Sequence, residues 1–116
     1  MFRSFLRAKI HGATITKANV NYQGSLSMDP GLMRLSGISP FERIDVYNLD
    51  NGERLTTYAI EGETGEFCLN GAAALKGEEG QRIIIAVYAW LDEAEVEGFK
   101  PKIVIMGENN QVGPVT

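Results

Sequence analysis

Cysteine and histidine are almost missing from this chain: Cys68 and His11 are the single copies of each among 116 residues. One thiol cannot form an intrachain disulfide, so a reduced cytoplasm is the expected location. One Cys and one His cannot supply a zinc set without help from carboxylates, so no metal is expected. Cys68 itself reads as a small buried residue on a strand. A membrane-length hydrophobic run is missing too. The longest apolar stretch, Ile83 to Leu91, is about half of what a spanning helix needs. Charges interrupt the apolar residues of Met1-Phe2-Arg3-Ser4-Phe5-Leu6-Arg7, which does not read as a signal peptide. Nor is there an excess of positive charge: a net charge of −4 argues against nucleic acid or an anionic membrane as partner.

Glycine, by contrast, is plentiful, with 13 copies and no low-complexity run, which implies many tight turns. The length fits one domain over residues 1–116, without linker or internal repeat. Short extended segments dominate. Lys9 to Thr16 reads as a strand, as do Ser25 to Met28, Phe67 to Leu69, Arg82 to Tyr88 and Lys102 to Met106. Ile44 to Leu49 and Leu55 to Ile60 flank Asn51-Gly52, the preferred pair for a type I′ turn, and predict a hairpin. Asp29-Pro30 gives an N-cap with proline at the first helical position, followed by a short helix stopped at Gly37. Asp92 to Glu97, closed by Gly98, predicts a second short helix. Six or seven short strands and two small helices point to a mainly β protein, a compact β-barrel with short capping helices.

Strand alternation also groups the polar side chains. Arg54, Thr56 and Tyr58 share one face of their strand, with Arg54 and Tyr58 roughly 13 Å apart at Cα. Long side chains can lean into that gap and converge on a small ligand. Lys9 and His11 share a face of the first strand in the same way. Asn70-Gly71-Ala72-Ala73-Ala74 reads as a cap, a backbone approach and a turn of small residues. Three alanines leave little bulk, so backbone amides there can come close to a ligand, or a helix start can pack closely on the barrel.

Four segments occur in order: Lys9-Ile10-His11; Asn21-Tyr22-Gln23-Gly24-Ser25; Asn51-Gly52-Glu53-Arg54 with Thr57-Tyr58; and Asn70-Gly71-Ala72-Ala73-Ala74. Together they resemble the pyruvoyl-dependent aspartate 1-decarboxylases, which make β-alanine from L-aspartate. The likeness extends weakly to the opening strand and to Phe99-Lys100-Pro101-Lys102-Ile103-Val104-Ile105. The resemblance implies a six-stranded double-psi β-barrel and a homotetramer with active sites between neighbouring subunits. It also implies self-cleavage between Gly24 and Ser25, giving a small β chain (1–24) and an α chain (25–116) that starts with a pyruvoyl group. Decarboxylation leaves a carbanion that no ordinary side chain can hold, and an electron sink, usually a bound cofactor, is needed. Here the sink would come from Ser25 itself, as a ketone able to condense with the substrate amine as a Schiff base, with no metal and no pyridoxal phosphate. Gly24 suits attack on its carbonyl because a residue without Cβ tolerates strained backbone.

By the same resemblance, Thr57 assists cleavage, Tyr22 orients the loop, and Tyr58 is the proton donor. Arg54 is the main carboxylate anchor, for which its rigid fork is suited, and Lys9 is the second cation. Asn70 lies near the pyruvoyl group, Asn70, Gly71 and Thr57 belong to the substrate-binding set, and the amides around Ala72 and Ala73 bind a substrate carboxylate. His11 matches a family position near the site, a structural histidine being the other reading. The sequence departs from the family at Gly12, where a basic residue is usual, in the shorter loop Gly62-Glu63-Thr64-Gly65, and at Leu75, where histidine or arginine is common. A maturation partner, used by some bacteria of this family, stays open. Two other readings stand beside the leading one: an uncleaved β-barrel acting as a binding or assembly module, and a pyruvoyl decarboxylase of another acidic amino acid such as glutamate.

Overall fold

Alternation sorts the side chains of the longest strand, β1 (Phe2–Thr14): Ala8 and Ile10 are fully buried, while Lys9 and His11 between them stay half exposed. The structure, a computed structural model, describes all 116 residues. Eight further strands follow: β2 (Lys17–Asn19), β3 (Leu26–Met28), β4 (Arg43–Asn48), β5 (Arg54–Glu61), β6 (Phe67–Asn70), β7 (Arg82–Asp92), β8 (Lys102–Met106) and β9 (Val112–Val115). They form one sheet in the order β2-β6-β3-β5-β4-β7-β1-β8-β9. Three neighbouring pairs, β1–β8, β2–β6 and β3–β5, run parallel, and the others run antiparallel. The protein is therefore mainly β, with nine strands where six or seven were expected and with free ends at β2 and β9.

The added strand length has a tertiary cause. β1 and β7 pair from Phe2↔Asp92 to Thr14↔Arg82, so cross-strand hydrogen bonds extend both well beyond the segments that alternation marks. β2 and β9 span only three and four residues, too few to display a period, and Pro114 in β9 is tolerated because that strand lies at the sheet edge. Both expected helices form. In α1 (Pro30–Ser36), the Asp29 carboxylate accepts from the Gly31 and Leu32 amides, and Gly37 ends the helix at φ +76°. α2 (Glu93–Val96) starts in a capping box between Asp92 and Glu95.

The hairpin β4–β5 forms as expected, but its turn is not type I′. That turn needs positive φ at both central residues, and in this loop only Gly52 (+75°) has it. The Asn48 side chain accepts from the Asp50 and Asn51 amides and builds a longer connection instead. Asn70 does not act as a cap either: it precedes a 3-10 helix (Gly71–Lys76) without bonding to it. Inside the sheet, one cluster of 20 buried apolar residues joins Ile10, Leu26, Ile44, Phe67 and Ile85 from five strands. It is the packed base on which the polar strips described next are laid. No helix is long and apolar enough to cross a membrane.

Candidate active site

Strand pairing gathers a buried polar strip on one side of β3 and β6. Ser27 faces Cys68 across the ladder, and the Asn70 amide donates to the Ser25 carbonyl at 2.7 Å one step further along. Leu26 and Leu69, between them in sequence, pair on the opposite side and enter the core. Ser25, Ser27, Cys68 and Asn70 are all at least nine-tenths buried.

Gly24 leads into this strip at φ +115°, a region that L side chains rarely enter. A Cβ there would also lie 2.8 Å from Ile60 Cδ1. Its conformation therefore favours glycine before Ser25, whereas the contact with the end of the Ile60 side chain is one that a small shift of that side chain relieves. Gly71, at φ +59°, approaches the same loop from the other side, where a Cβ would lie 3.5 Å from the carbonyl oxygens of Gly24 and Tyr22. The expected backbone approach is thus real, directed at the Gly24 loop.

A cavity of about 280 Å³ opens beside this bend, lined by Gly24, Ser25, Thr57, Tyr58, Asn70, Ala72 and Ala73 together with Leu55, Thr56 and Lys76. Seven of the residues singled out from sequence therefore converge. Tyr22 is exposed and stands on the far side of Asn70, lining a second, polar cavity of about 270 Å³. Tyr58 also borders an open hollow with Gly24 and Phe41, whose ring lies 6.4 Å from its own.

Lys9, His11 and Arg54 are not part of the Ser25 cavity. They lie on the outer face of the sheet, in rows set by strand register. Lys9 is opposite Ala86, Ala86 opposite Asp45, and Asp45 opposite Thr56. His11, Ile84, Tyr47 and Arg54 form the next row, so His11 and Arg54 are three strand spacings apart, roughly 14 Å. Lys9 and His11 do share a face. Arg54 and Tyr58 also share one, but they do not lean together. The Arg54 guanidinium sits over the Tyr47 ring, 4.4 Å from its centre, while Tyr58 lies beside Phe41. A cross-strand ring for Arg54 and a turn residue's ring for Tyr58 draw the two apart.

Electrostatics differ along this face. Burial, then the nearby charges of Lys9 and Arg82, pushes the His11 imidazolium below its ordinary value, so His11 is neutral at pH 7. Burial, with a 3.0 Å hydrogen bond to the Tyr88 hydroxyl, pushes the Tyr47 phenol up to about 12. Both ion pairs of the chain, Arg7–Glu42 and Lys76–Glu53, lie elsewhere, which leaves Lys9 and Arg54 without a carboxylate partner. Lys76 and Phe41 were not anticipated at the site. Lys76 carries no local signal, since the 3-10 helix brings it to the cavity. Phe41 is marked only by its positive φ of 70°, which sequence does not reveal. No group of three or more His, Cys, Asp or Glu side chains is close enough to hold a metal ion.

Fold and site first define a class: mainly β proteins that bury a serine directly after a left-handed glycine, beside threonine, tyrosine and asparagine. The family model for aspartate decarboxylase matches residues 1–113. The aspartate 1-decarboxylase of Syntrophobacter fumaroxidans is 50% identical over 113 residues, covering 96% of this chain and 91% of its own. That of Thermoanaerobacter pseudethanolicus is 48% identical over 113 residues (96% and 97%), and that of Ralstonia nicotianae 45% over 114 (97% and 95%). The chain belongs to the aspartate decarboxylase family.

Proposed function

We propose that this chain decarboxylates L-aspartate to β-alanine and CO2 on a pyruvoyl group made from its own Ser25. The carrying observation is the Gly24–Ser25 bend: a glycine at positive φ, followed by a buried serine at the wall of a cavity. The Ser25 hydroxyl attacks the Gly24 carbonyl carbon, the Gly24–Ser25 C–N bond breaks, and an ester replaces the amide. Loss of the Ser25 α-proton then expels residues 1–24 as a carboxylate and leaves dehydroalanine. Hydrolysis releases ammonia and leaves the ketone at the start of residues 25–116. Thr57 hydrogen-bonds the attacked carbonyl, and Tyr22 and Gly71 hold the loop around it.

The residues present fit such a group, since Ser25 is buried at the wall of a cavity that small residues and Thr57 also line. Bound there, it supplies the electron sink for the charge left when CO2 departs. Arg54 grips one substrate carboxylate through paired N–H bonds, and Lys9 neutralises the other. The amides of Ala72 and Ala73, with Asn70, hold the substrate from the cavity side. Tyr58 donates its phenolic proton to the substrate carbon.

Lys9, His11 and Arg54 are not among the residues that line their own chain's Ser25 cavity. The site is therefore assembled between subunits of a homotetramer, with one chain's outer sheet face closing its neighbour's cavity. Exposed Tyr88 and Trp90 on β7 supply apolar area for that contact. The mixed parallel and antiparallel pairing supports the six-stranded double-psi barrel within the nine-stranded ladder. A reduced Cys68 fits the cytoplasm. A denaturing intact-mass spectrum tests the reading: two fragments split between Gly24 and Ser25, the larger with a borohydride-reducible carbonyl, are expected. A single species near 12.7 kDa after prolonged warming, unable to release CO2 from aspartate, would favour an uncleaved binding module.

A further inference from the structure

Cys68, Asn70 and Ser27 form a continuous buried hydrogen-bond chain, of which the steps above use Asn70 but neither Cys68 nor Ser27. The Cys68 thiol donates to Asn70 Oδ1 at 2.9 Å, and Asn70 Nδ2 donates to Ser27 Oγ at 2.8 Å. Asn70 is 2% exposed and separates the Ser25 cavity from the polar cavity on its other side, lining both. An asparagine amide has two ends of nearly equal shape, so packing alone does not choose between its two orientations. The partners choose. A thiol is a better match for a carbonyl oxygen than its sulfur is for an N–H, and the second lone pair of Ser27 takes one amide proton. Burial, reinforced by Glu66 and opposed by Lys17, pushes the Cys68 thiol up, so it stays a donor at neutral pH.

We infer that Cys68 and Ser27 are positioning residues: together they lock the Asn70 amide so that its uncommitted N–H is presented to the Ser25 cavity. There it is a neutral donor for an oxygen on the substrate or on the self-processing intermediate. Cys68 and Ser27 touch neither, and act only through Asn70. Their effect therefore falls on the rates of cleavage and turnover more than on substrate affinity. This assignment of a task to Asn70 rests on the decarboxylase reading, whereas the lock itself does not.

The test uses the full-length chain with Cys68→Ala, Ser27→Ala and Cys68→Ser. Removing either partner should slow Gly24–Ser25 cleavage roughly tenfold, the scale of one lost hydrogen bond, and lower kcat with KM nearly unchanged. Cys68→Ser keeps a donor at the same place and should recover most of both rates, which a purely packing role for the sulfur would not produce. Equal rates in Cys68→Ala and wild type, or a Cys68→Ser protein as slow as Cys68→Ala, overturns the inference. A second readout needs no activity. In Ser25→Ala chains, hydrogen exchange of the Asn70 side-chain NH2 is followed by 15N NMR, with and without the Cys68→Ala and Ser27→Ala changes. Faster exchange in both supports the lock, and unchanged exchange in both refutes it. If the unaltered chain neither cleaves nor releases CO2, the decarboxylase reading fails, and the exchange data still decide the lock.

Discussion

Two polar strips of this protein use similar residue types but are built differently. On β3 and β6, Ser25, Ser27, Cys68 and Asn70 are buried, and their neighbours supply the polar contacts inside one chain. On the outer face of β1, β7, β4 and β5, Lys9, His11, Arg54 and Tyr58 reach solvent, and Lys9 and Arg54 lack an acidic partner. Burying a polar group is tolerated only with partners in place, and those partners hold it rigidly. An exposed, unpaired cation is easily tolerated, and it is free to meet a ligand or another subunit. The inner strip is thus suited to a reaction of the chain on itself, and the outer strip to recognition of something that arrives.

The sharpest way to separate the two strips is Ser25→Ala, which should abolish both cleavage and CO2 release, read by intact mass and by an aspartate assay. Tyr58 borders the cavity from the outer face. Tyr58→Phe should cleave normally yet lose about a hundredfold in kcat, within the usual range for removal of a proton donor. Arg54→Ala should also cleave to completion, with KM for aspartate raised roughly ten- to a hundredfold, as expected for lost charged hydrogen bonds. Uncleaved protein from Arg54→Ala would break the division, because it would tie the outer strip to maturation.

The smallest effect concerns His11. Its folded-state value lies below its ordinary 6.5, so the unfolded chain takes up the proton first as pH falls. Its contribution to stability is complete above that ordinary value and is lost as pH drops through the folded value. Melting curves between about pH 5 and 8 should show a shallower acid decline for His11→Gln than for the unaltered chain. An identical decline would mean that other groups control it.

Much of the fold was legible because its causes are local. Asp29-Pro30 and Gly37 bound α1 through capping and a left-handed stop, interactions confined to a few neighbouring residues. The turn at Asn51-Gly52 was misread because Asn48, outside the dipeptide, supplies competing hydrogen bonds through its side chain. β2 and β9 were invisible because a three- or four-residue strand exists only through its partner. At the site, Gly24, Ser25, Thr57, Tyr58, Asn70, Ala72 and Ala73, far apart in sequence, line one cavity. Arg54 and Tyr58 share a face, but alternation fixes the face of a side chain and not its direction along it. Tyr47, reached across the sheet, and Phe41, in the turn before β4, set that direction.

By itself, the sequence determined the strand-rich class, the two capped helices, the hairpin and the order of the four family segments, all carried by period, capping and residue identity over short spans. Only the tertiary structure decided the rest: which strands pair, that Gly24 takes a positive φ against Ile60, that Asn70 is held between Cys68 and Ser27, and that Lys9 and Arg54 lie on the outer face of the sheet. These depend on contacts between residues tens of positions apart. Such contacts arise from strand register, and register is a property of the assembled sheet that no short stretch of chain contains.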